Sequence, residues 1–441
     1  MCGGNGARII QGCLLLLGLL FWCNSAGAES LVPAGQALTL AECIRVGLQT
    51  NPSVEISAQN LLAVREKAGE AAGGYYPTFK ASSSYAYTTP ANAKMGVSPD
   101  SFDTRLAIRQ PLYDGGATTN LVAGARQAIA VQDYEVVRTR LEIVLFVKSA
   151  FYEVMKRRDL LAVAESSRSD AEKHLEQARA LYAEGVSPRA DVIKVEVQLS
   201  TAGLEVIRAE NGVLLALANL AAAMGLPAST DFSVTPVGAI SSLPAAALPP
   251  LAETIAQAQA GRPELRGIMA RIEAAQTNIR QVESGFYPNL SLDAAYGWQE
   301  SNYPPEDRKW SVGLTLGIPV FEHLTTKSKK NQAVAALGAL KATELQTLRG
   351  VELEVQQAWL ALKESLERRQ VTGKVREQAE EDRRVSEGRY QEGVGNILDV
   401  LDAQVALTMA KTNEVVATYD IATAQARLDR ATGVELQEES K

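Results

Sequence analysis

The chain has 441 residues, with 44 Lys and Arg against 51 Asp and Glu, a net charge of −7 and 46% hydrophobic residues. That balance is mild for the length, and no basic cluster stands out, so a nucleic-acid partner is not expected. Ordinary globular modules would divide such a length into two or three domains.

The N-terminus sets the compartment. Arg8 is followed by an apolar run from Leu14 through Trp22, and Ala26-Gly27-Ala28 has the small-x-small form of a cleavage site. Residues 1–28 therefore read as a secretory signal peptide, shorter and earlier than a spanning helix. Lipidation at Cys23 is disfavoured by the bulky Trp22 before it. Removal of the leader leaves Cys43 as the one cysteine, so no disulfide framework is expected and Cys43 reads as a small core residue. No later stretch approaches the ~20 apolar residues of a transmembrane helix. An exported chain of this kind is periplasmic, secreted or a barrel.

Self-comparison shows an internal duplication. Thr39-Leu40-Ala41-Glu42-Cys43-Ile44 matches Pro250-Leu251-Ala252-Glu253-Thr254-Ile255 at an offset of 211. The same offset relates Asn51-Pro52 to Arg262-Pro263, and Gly74-Tyr75-Tyr76-Pro77 to Gly285-Phe286-Tyr287-Pro288. Downstream the offset is 208, aligning Pro111-Leu112 with Pro319-Val320, Gly185-Val186 with Gly393-Val394, Asp191-Val192 with Asp399-Val400, and Gly225 with Gly433. The expected organisation is an N-terminal segment 29–40, a first repeat 41–226, a Pro/Ala/Ser-rich linker 227–250, a second repeat 251–434 and a tail 435–441.

Each repeat reads helix, two strands, very long helix, turn, helix. Thr39 and Glu42 form a capping box that starts the first helix, expected to run to about Ala72. Asp114 to Glu184 contains no proline, and a helix of that length extends about 105 Å; its mate spans Glu322 to Glu392. Helices this long suit coiled coils. After Gly185, the residues Val192, Val195, Leu199, Ala202, Val206, Ala209, Val213, Ala216 and Leu220 alternate steps of three and four, the seam of a left-handed coil. The last helix repeats the seam through Leu398, Leu401, Val405, Thr408, Thr412, Val415, Tyr419 and Ala422. Leu345, Leu348, Val355, Trp359, Leu362 and Leu366 continue it on the second long helix, with Glu352 an exception. Many seam positions are Ala or Thr, whereas a solid bundle would use larger residues.

Between the helices the period falls to two. Leu290, Leu292, Ala294, Tyr296 and Trp298 alternate with polar or small residues, as do Trp310, Val312, Leu314, Leu316, Ile318 and Val320. In the first repeat, Phe102, Thr104, Leu106, Ile108 and Leu112 alternate with Asp103, Arg105, Ala107 and Arg109, beside a less apolar strand from Phe79 to Tyr87. About ten residues, one apolar face, one polar face and terminal aromatics are the marks of outer-membrane strands. Four strands cannot close a barrel, and open edges in lipid leave backbone groups unsatisfied. Copies of the chain must complete it, with 8, 12 or 16 strands.

The whole pattern resembles the TolC-like outer-membrane efflux protein family. The resemblance rests on the duplicated topology, the strand entries at Pro77 and Pro288, and the motif Tyr390-Gln391-Glu392-Gly393-Val394-Gly395-Asn396-Ile397-Leu398-Asp399-Val400-Leu401-Asp402-Ala403. It implies a mainly α fold with a membrane β part: a homotrimer with a twelve-stranded barrel and a helical tunnel reaching into the periplasm of a Gram-negative-type envelope. It also implies a periplasmic adaptor (membrane fusion) protein and an inner-membrane pump of RND, ABC or MFS type as partners. Gly185, Val186, Gly393, Val394 and Gly395 would form the adaptor-docking tips. Asp399 and Asp402 would ring the tunnel mouth, and Tyr390 and Asp191 would tether it shut. Gly395 departs from the arginine that some relatives carry there.

Nothing points to catalysis, a cofactor or a metal. His174 and His323 are far apart and lack the neighbours of a metal site; His174 reads as a polar helix-face residue and His323 as a solvated start to the long helix. Methionines are scattered, so copper or silver cargo is not indicated. A periplasmic adaptor is the alternative, though adaptors usually have one hairpin rather than a duplicated unit. A structural coiled-coil protein is opposed by the period-two strands.

Overall fold

The computed structural model describes residues 37–87, 100–235, 248–300, 308–321 and 323–433. The signal peptide, the middle of the linker at 236–247 and the tail 435–441 lie outside the described residues. The first repeat comprises β1 (Ala37–Leu38), α1 (Leu40–Thr50), α2 (Pro52–Gly73), β2 (Thr78–Tyr87), β3 (Asp100–Tyr113), α3 (Ala117–Ala183) and α4 (Arg189–Met224). After β4 (Ser233–Val234), the second repeat comprises α5 (Leu251–Gly261), α6 (Pro263–Glu283), β5 (Asn289–Glu300), β6 (Arg308–Gly317), α7 (His323–Gln391) and α8 (Ile397–Thr432).

The capping box forms as expected. Thr39 Oγ1 accepts from Glu42 N at 3.3 Å, and Glu42 Oε2 accepts from Thr39 N at 2.7 Å. The first helix does not run through to Ala72. It breaks at Asn51, whose φ of −69° and ψ of 123° are extended, and Arg262 makes the same break at −66° and 123°. The residue before a proline is pushed out of the helical region, so Pro52 and Pro263 each end one helix and start the next. Both break residues are tied to the far end of their own repeat. Asn51 Nδ2 donates to Ala223 O at 2.9 Å, and Arg262 Nη1 donates to Arg430 O at 3.1 Å.

The two long helices hold the fold together. α3 packs along α4, α2, α6 and α8, while α7 packs along α8 and α6. The heptad seam of α4 lies against α3, with Val195 and Leu220 at 0% exposure. The α8 seam differs from expectation near the tip, where Leu398 and Val405 are exposed and Ile397, Val400, Gln404 and Leu407 are buried instead. Two helices flank α8, α7 and α3, so the buried face is centred between their contact lines and turns one residue from a simple two-helix seam. Leu345 of α7 is likewise exposed, and the exception Glu352 accepts a bond from Gln259 at 3.0 Å.

Contrary to the expectation from composition, α4 does hold an 18-residue window of mean hydropathy 1.3, apolar enough to cross a membrane. Its length lies along α3, and the excess apolarity comes from a second, exposed line of large side chains described below. The linker also departs from a free tether. β1 and β4 pair in parallel, and Phe232 and Val234 are buried with Leu38 in the core that holds Cys43, Phe151 and Met224.

The remaining strands form one antiparallel sheet in the order β2-β3-β5-β6, so the two hairpins are joined edge to edge through β3 and β5. One register shift falls between Pro111 and Tyr113, leaving Leu112 out of phase with the apolar face. A proline cannot donate to the ladder, which is why the irregularity sits there. β6 ends at Gly317, so Ile318 and Val320, expected to extend it, lie beyond the strand.

Burial places the Cys43 thiol at 0% exposure and, with a smaller push from Glu42, raises its pKa to about 12. The thiolate is the reactive form. A maleimide reagent is therefore expected to leave Cys43 of the native mature protein unlabelled at pH 8, and to label it fully in denaturant.

Candidate functional site: the helical tips

Each helical hairpin turns through a left-handed glycine. Gly185 has φ of +75° and Gly393 of +72°, where side chains other than glycine are strained. The turns share one bonding pattern. Leu181 O accepts from Val186 N at 2.9 Å and Ser187 N at 3.3 Å; Arg389 O accepts from Val394 N at 3.0 Å and Gly395 N at 2.9 Å. The turn explains Gly395: a Cβ there would sit 2.9 Å from Tyr390 N and 3.0 Å from Arg389 C. Ser187 fills the matching place in the first tip, where its amide bond is longer. Asn396 caps α8 by accepting from Leu398 N at 3.1 Å.

Behind the turns, Leu175, Ala178, Val192, Val195, Tyr390, Ile397, Val400 and Leu401 pack into one buried cluster that joins the two hairpins. Val186 and Val394 project outward with 65% and 71% exposure. The fold brings Tyr390 and Asp191 together. The Tyr390 hydroxyl is buried and has no hydrogen-bond partner among the described residues. Burial, and then the charge of Asp191, push its pKa above the usual phenol value. Asp191 itself pairs with Lys194 at 3.3 Å.

Offset 208 aligns Asp191 with Asp399 and Lys194 with Asp402. The first tip thus carries an acid–base pair one helical turn apart, and the second carries two acids at the same two places. Asp399 and Asp402 are both exposed, and neither has an ion-pair partner among the described residues. The pair concentrates negative charge on one face of α8.

Pro77 and Pro288 lie at the other end of the long helices, one residue before β2 and β5. Exposed Tyr75, Tyr76 and Tyr287 flank them. The side chain of His323 is outside the described residues. His174, read as a polar helix-face residue, is buried: it is 8% exposed, with Nε2 3.5 Å from Glu387 Oε1, and Glu387 also accepts from Arg383 at 3.0 Å. Its burial was hidden because α7, distant in sequence, covers it. Burial lowers the imidazole pKa below its ordinary value, outweighing Glu387 and Asp170, while Arg383 and Lys173 act in the same sense as burial.

A histidine with a depressed native pKa contributes its full stability above the unfolded value of about 6.5 and loses it progressively as the pH falls below that. Acidification from about pH 7.5 to about 5.5 is expected to reduce amide protection around residues 170–180 and 383–391. His174→Gln is expected to remove this pH dependence. Hydrogen exchange at the two pH values checks both.

Two helical hairpins ending in exposed turns, and a four-stranded sheet with one apolar face at their opposite end, define an outer-membrane channel subunit. A family model described as outer membrane efflux protein matches residues 44–226 and 254–434, and the chain belongs to that family. It is an outer-membrane exit channel for efflux or type I secretion, and the family is one of channels rather than enzymes. The chain is 23% identical over 437 residues to outer membrane protein TolC of Escherichia coli, covering 95% of this chain and 86% of the relative. It is 24% identical over 353 residues to the alkaline protease secretion protein AprF of Pseudomonas aeruginosa, covering 79% and 73%. In fold it is similar to the outer membrane protein VceC of Vibrio cholerae, with a TM-score of 0.75, 19% identity and coverage of 89% and 96%.

Proposed function

We propose that three copies of this chain close a twelve-stranded barrel and a helical tunnel, and that the tunnel is the outer section of a tripartite conduit. The observation that carries this reading is the pair of unpaired sheet edges, β2 and β6, on a sheet whose outer face is apolar. Trp310, Val312, Leu314 and Leu316 on β6 are each more than 60% exposed. In hydrocarbon, each unsatisfied edge group costs several kcal/mol. Pairing β6 of one copy with β2 of the next removes both edges.

The helices support the same assembly. On α4, Ile193, Val197, Leu204, Ile207 and Leu214 are exposed and recur at steps of three, four or seven. On α7, Leu353, Leu360, Val371, Val375 and Val385 are exposed as well. A second copy would cover both lines, as coiled-coil seams require.

At the far end, the tips at Gly185, Val186, Gly393, Val394 and Gly395 offer exposed valines on rigid turns to a periplasmic adaptor, and an inner-membrane pump would supply the cargo. Three copies of Asp399 and Asp402 would place six carboxylates around the mouth and favour cations. Tyr390, inside the cluster that joins the hairpins, and Asp191 beside it would govern how far that mouth opens.

Native mass spectrometry of the detergent-purified mature protein is expected to give a trimer; a stable monomer that conducts no ions overturns the assembly. In planar bilayers, Asp399→Ala with Asp402→Ala is expected to lower the cation-over-anion permeability ratio by roughly threefold or more. An unchanged ratio would remove the two aspartates from the mouth.

A further inference from the structure

The strand register sorts every described side chain of the sheet onto one of two faces, since alternate residues point to opposite sides. Phe79, Leu106, Ile108, Leu292, Tyr296, Val312 and Leu314 share the lipid face. The opposite face is built of cross-strand rows. Thr78, Arg109, Asp293 and Gly313 form one row; moving away from the helices, next come Lys80, Ala107, Ala295 and Ser311, followed by Ser82, Arg105, Gly297 and Lys309. Ser84, Asp103 and Gln299 form the next row, with Ala86 and Ser101 beyond it.

The charges on these rows do not cancel. Arg109 and Asp293 pair at 3.4 Å within the first row. Arg105 is 3.7 Å from Asp103 in the row beyond its own. Among the described residues neither Lys80 nor Lys309 has a carboxylate within ion-pair distance, and Lys309 Nζ donates to Gln299 Oε1 at 3.5 Å. The two middle rows therefore hold Lys80, Arg105 and Lys309 with no acid among them. Their other members are small, and a groove of about 290 Å³ opens beside Lys80 over Ala107 and Ala295. Gly297 is a point of close strand approach rather than open space: a Cβ there would lie 2.7 Å from Arg105 Cβ, so only glycine fits beside Arg105.

We propose that the barrel lumen is an anion-binding section of the conduit, with Lys80, Arg105 and Lys309 forming a cationic belt that concentrates small carboxylated or phosphorylated solutes. The proposal rests on the closed-barrel reading, which puts this face around the bore. Low-dielectric walls focus the field of such a belt. The acidic tips lie the length of α3 away, roughly 100 Å, far beyond a Debye length of about 8 Å. The belt and the mouth therefore act on permeating ions independently and with opposite sign.

Reversal potentials in a potassium chloride gradient test this with the full mature chain in planar bilayers. Lys80→Gln with Lys309→Gln is expected to raise the potassium-over-chloride permeability ratio by roughly twofold or more. Asp399→Asn with Asp402→Asn is expected to produce a chloride-preferring pore, and adding the two lysine changes is expected to abolish that preference. Unaltered single-channel conductance and trimer mass would show that the lysine variants assemble. Pores whose ratio ignores the lysines in both backgrounds overturn the cationic belt and leave the channel reading standing. A wild-type protein that forms no pores overturns both.

Discussion

Backbone groups at the edge of a β-sheet must be bonded, and hydrocarbon offers nothing to bond them. That constraint organises this molecule. A sheet of four strands with an apolar outer face has no stable existence in lipid until β2 and β6 find partners, and in the proposed assembly copies of the chain supply them. Once the barrel closes, each strand pair hands its chain to a helix on the same circumference, so the helices have no choice but to continue the wall. The Ala and Thr residues at their seams let neighbouring helices approach closely.

Duplication gives each chain two copies of one backbone plan, and the two have been put to different electrostatic use. Asn51 and Arg262 break their helices with nearly equal dihedral angles and reach the same carbonyl ends. Arg262 also enters an ion network, donating to Glu354 at 2.5 Å beside Arg430. Burial alone would raise the Glu354 pKa, but the two guanidiniums more than offset it and hold the carboxyl below its usual value. The tips diverge in the same way. Asp191 is neutralised by Lys194 and tucked beside Tyr390, whereas Asp399 and Asp402 stand exposed, with no ion-pair partner among the described residues. Equivalent positions thus carry an ion-paired acid in one repeat and two exposed acids in the other.

Much of this was legible from residues. The Thr39–Glu42 cap, the two glycine turns, the long helices and the period-two strands all rest on local rules: side-chain spacing, propensity and capping act over a few residues. The offsets of 211 and 208 exposed the duplication for the same reason, because equal local chemistry at equal spacing needs no coordinates to be seen. The Asn51-Pro52 pair matched Arg262-Pro263 in sequence, yet the break there went unread because a single proline competes with an otherwise helical pattern.

What needed the tertiary structure is whatever depends on contacts between distant segments. The pairing of β3 with β5 joins the repeats through strands almost two hundred residues apart. The turned seam of α8 follows from having two neighbours rather than one. His174 became a buried group only because α7 lies over it, and the apolar surplus of α4 was explained only once one of its two lines was found without a partner. Sequence determined which elements form and which faces are apolar, since those follow from short-range periodicity. Only the packed chain decided which of those faces are filled from within and which are left for another copy, because burial is a property of the whole arrangement.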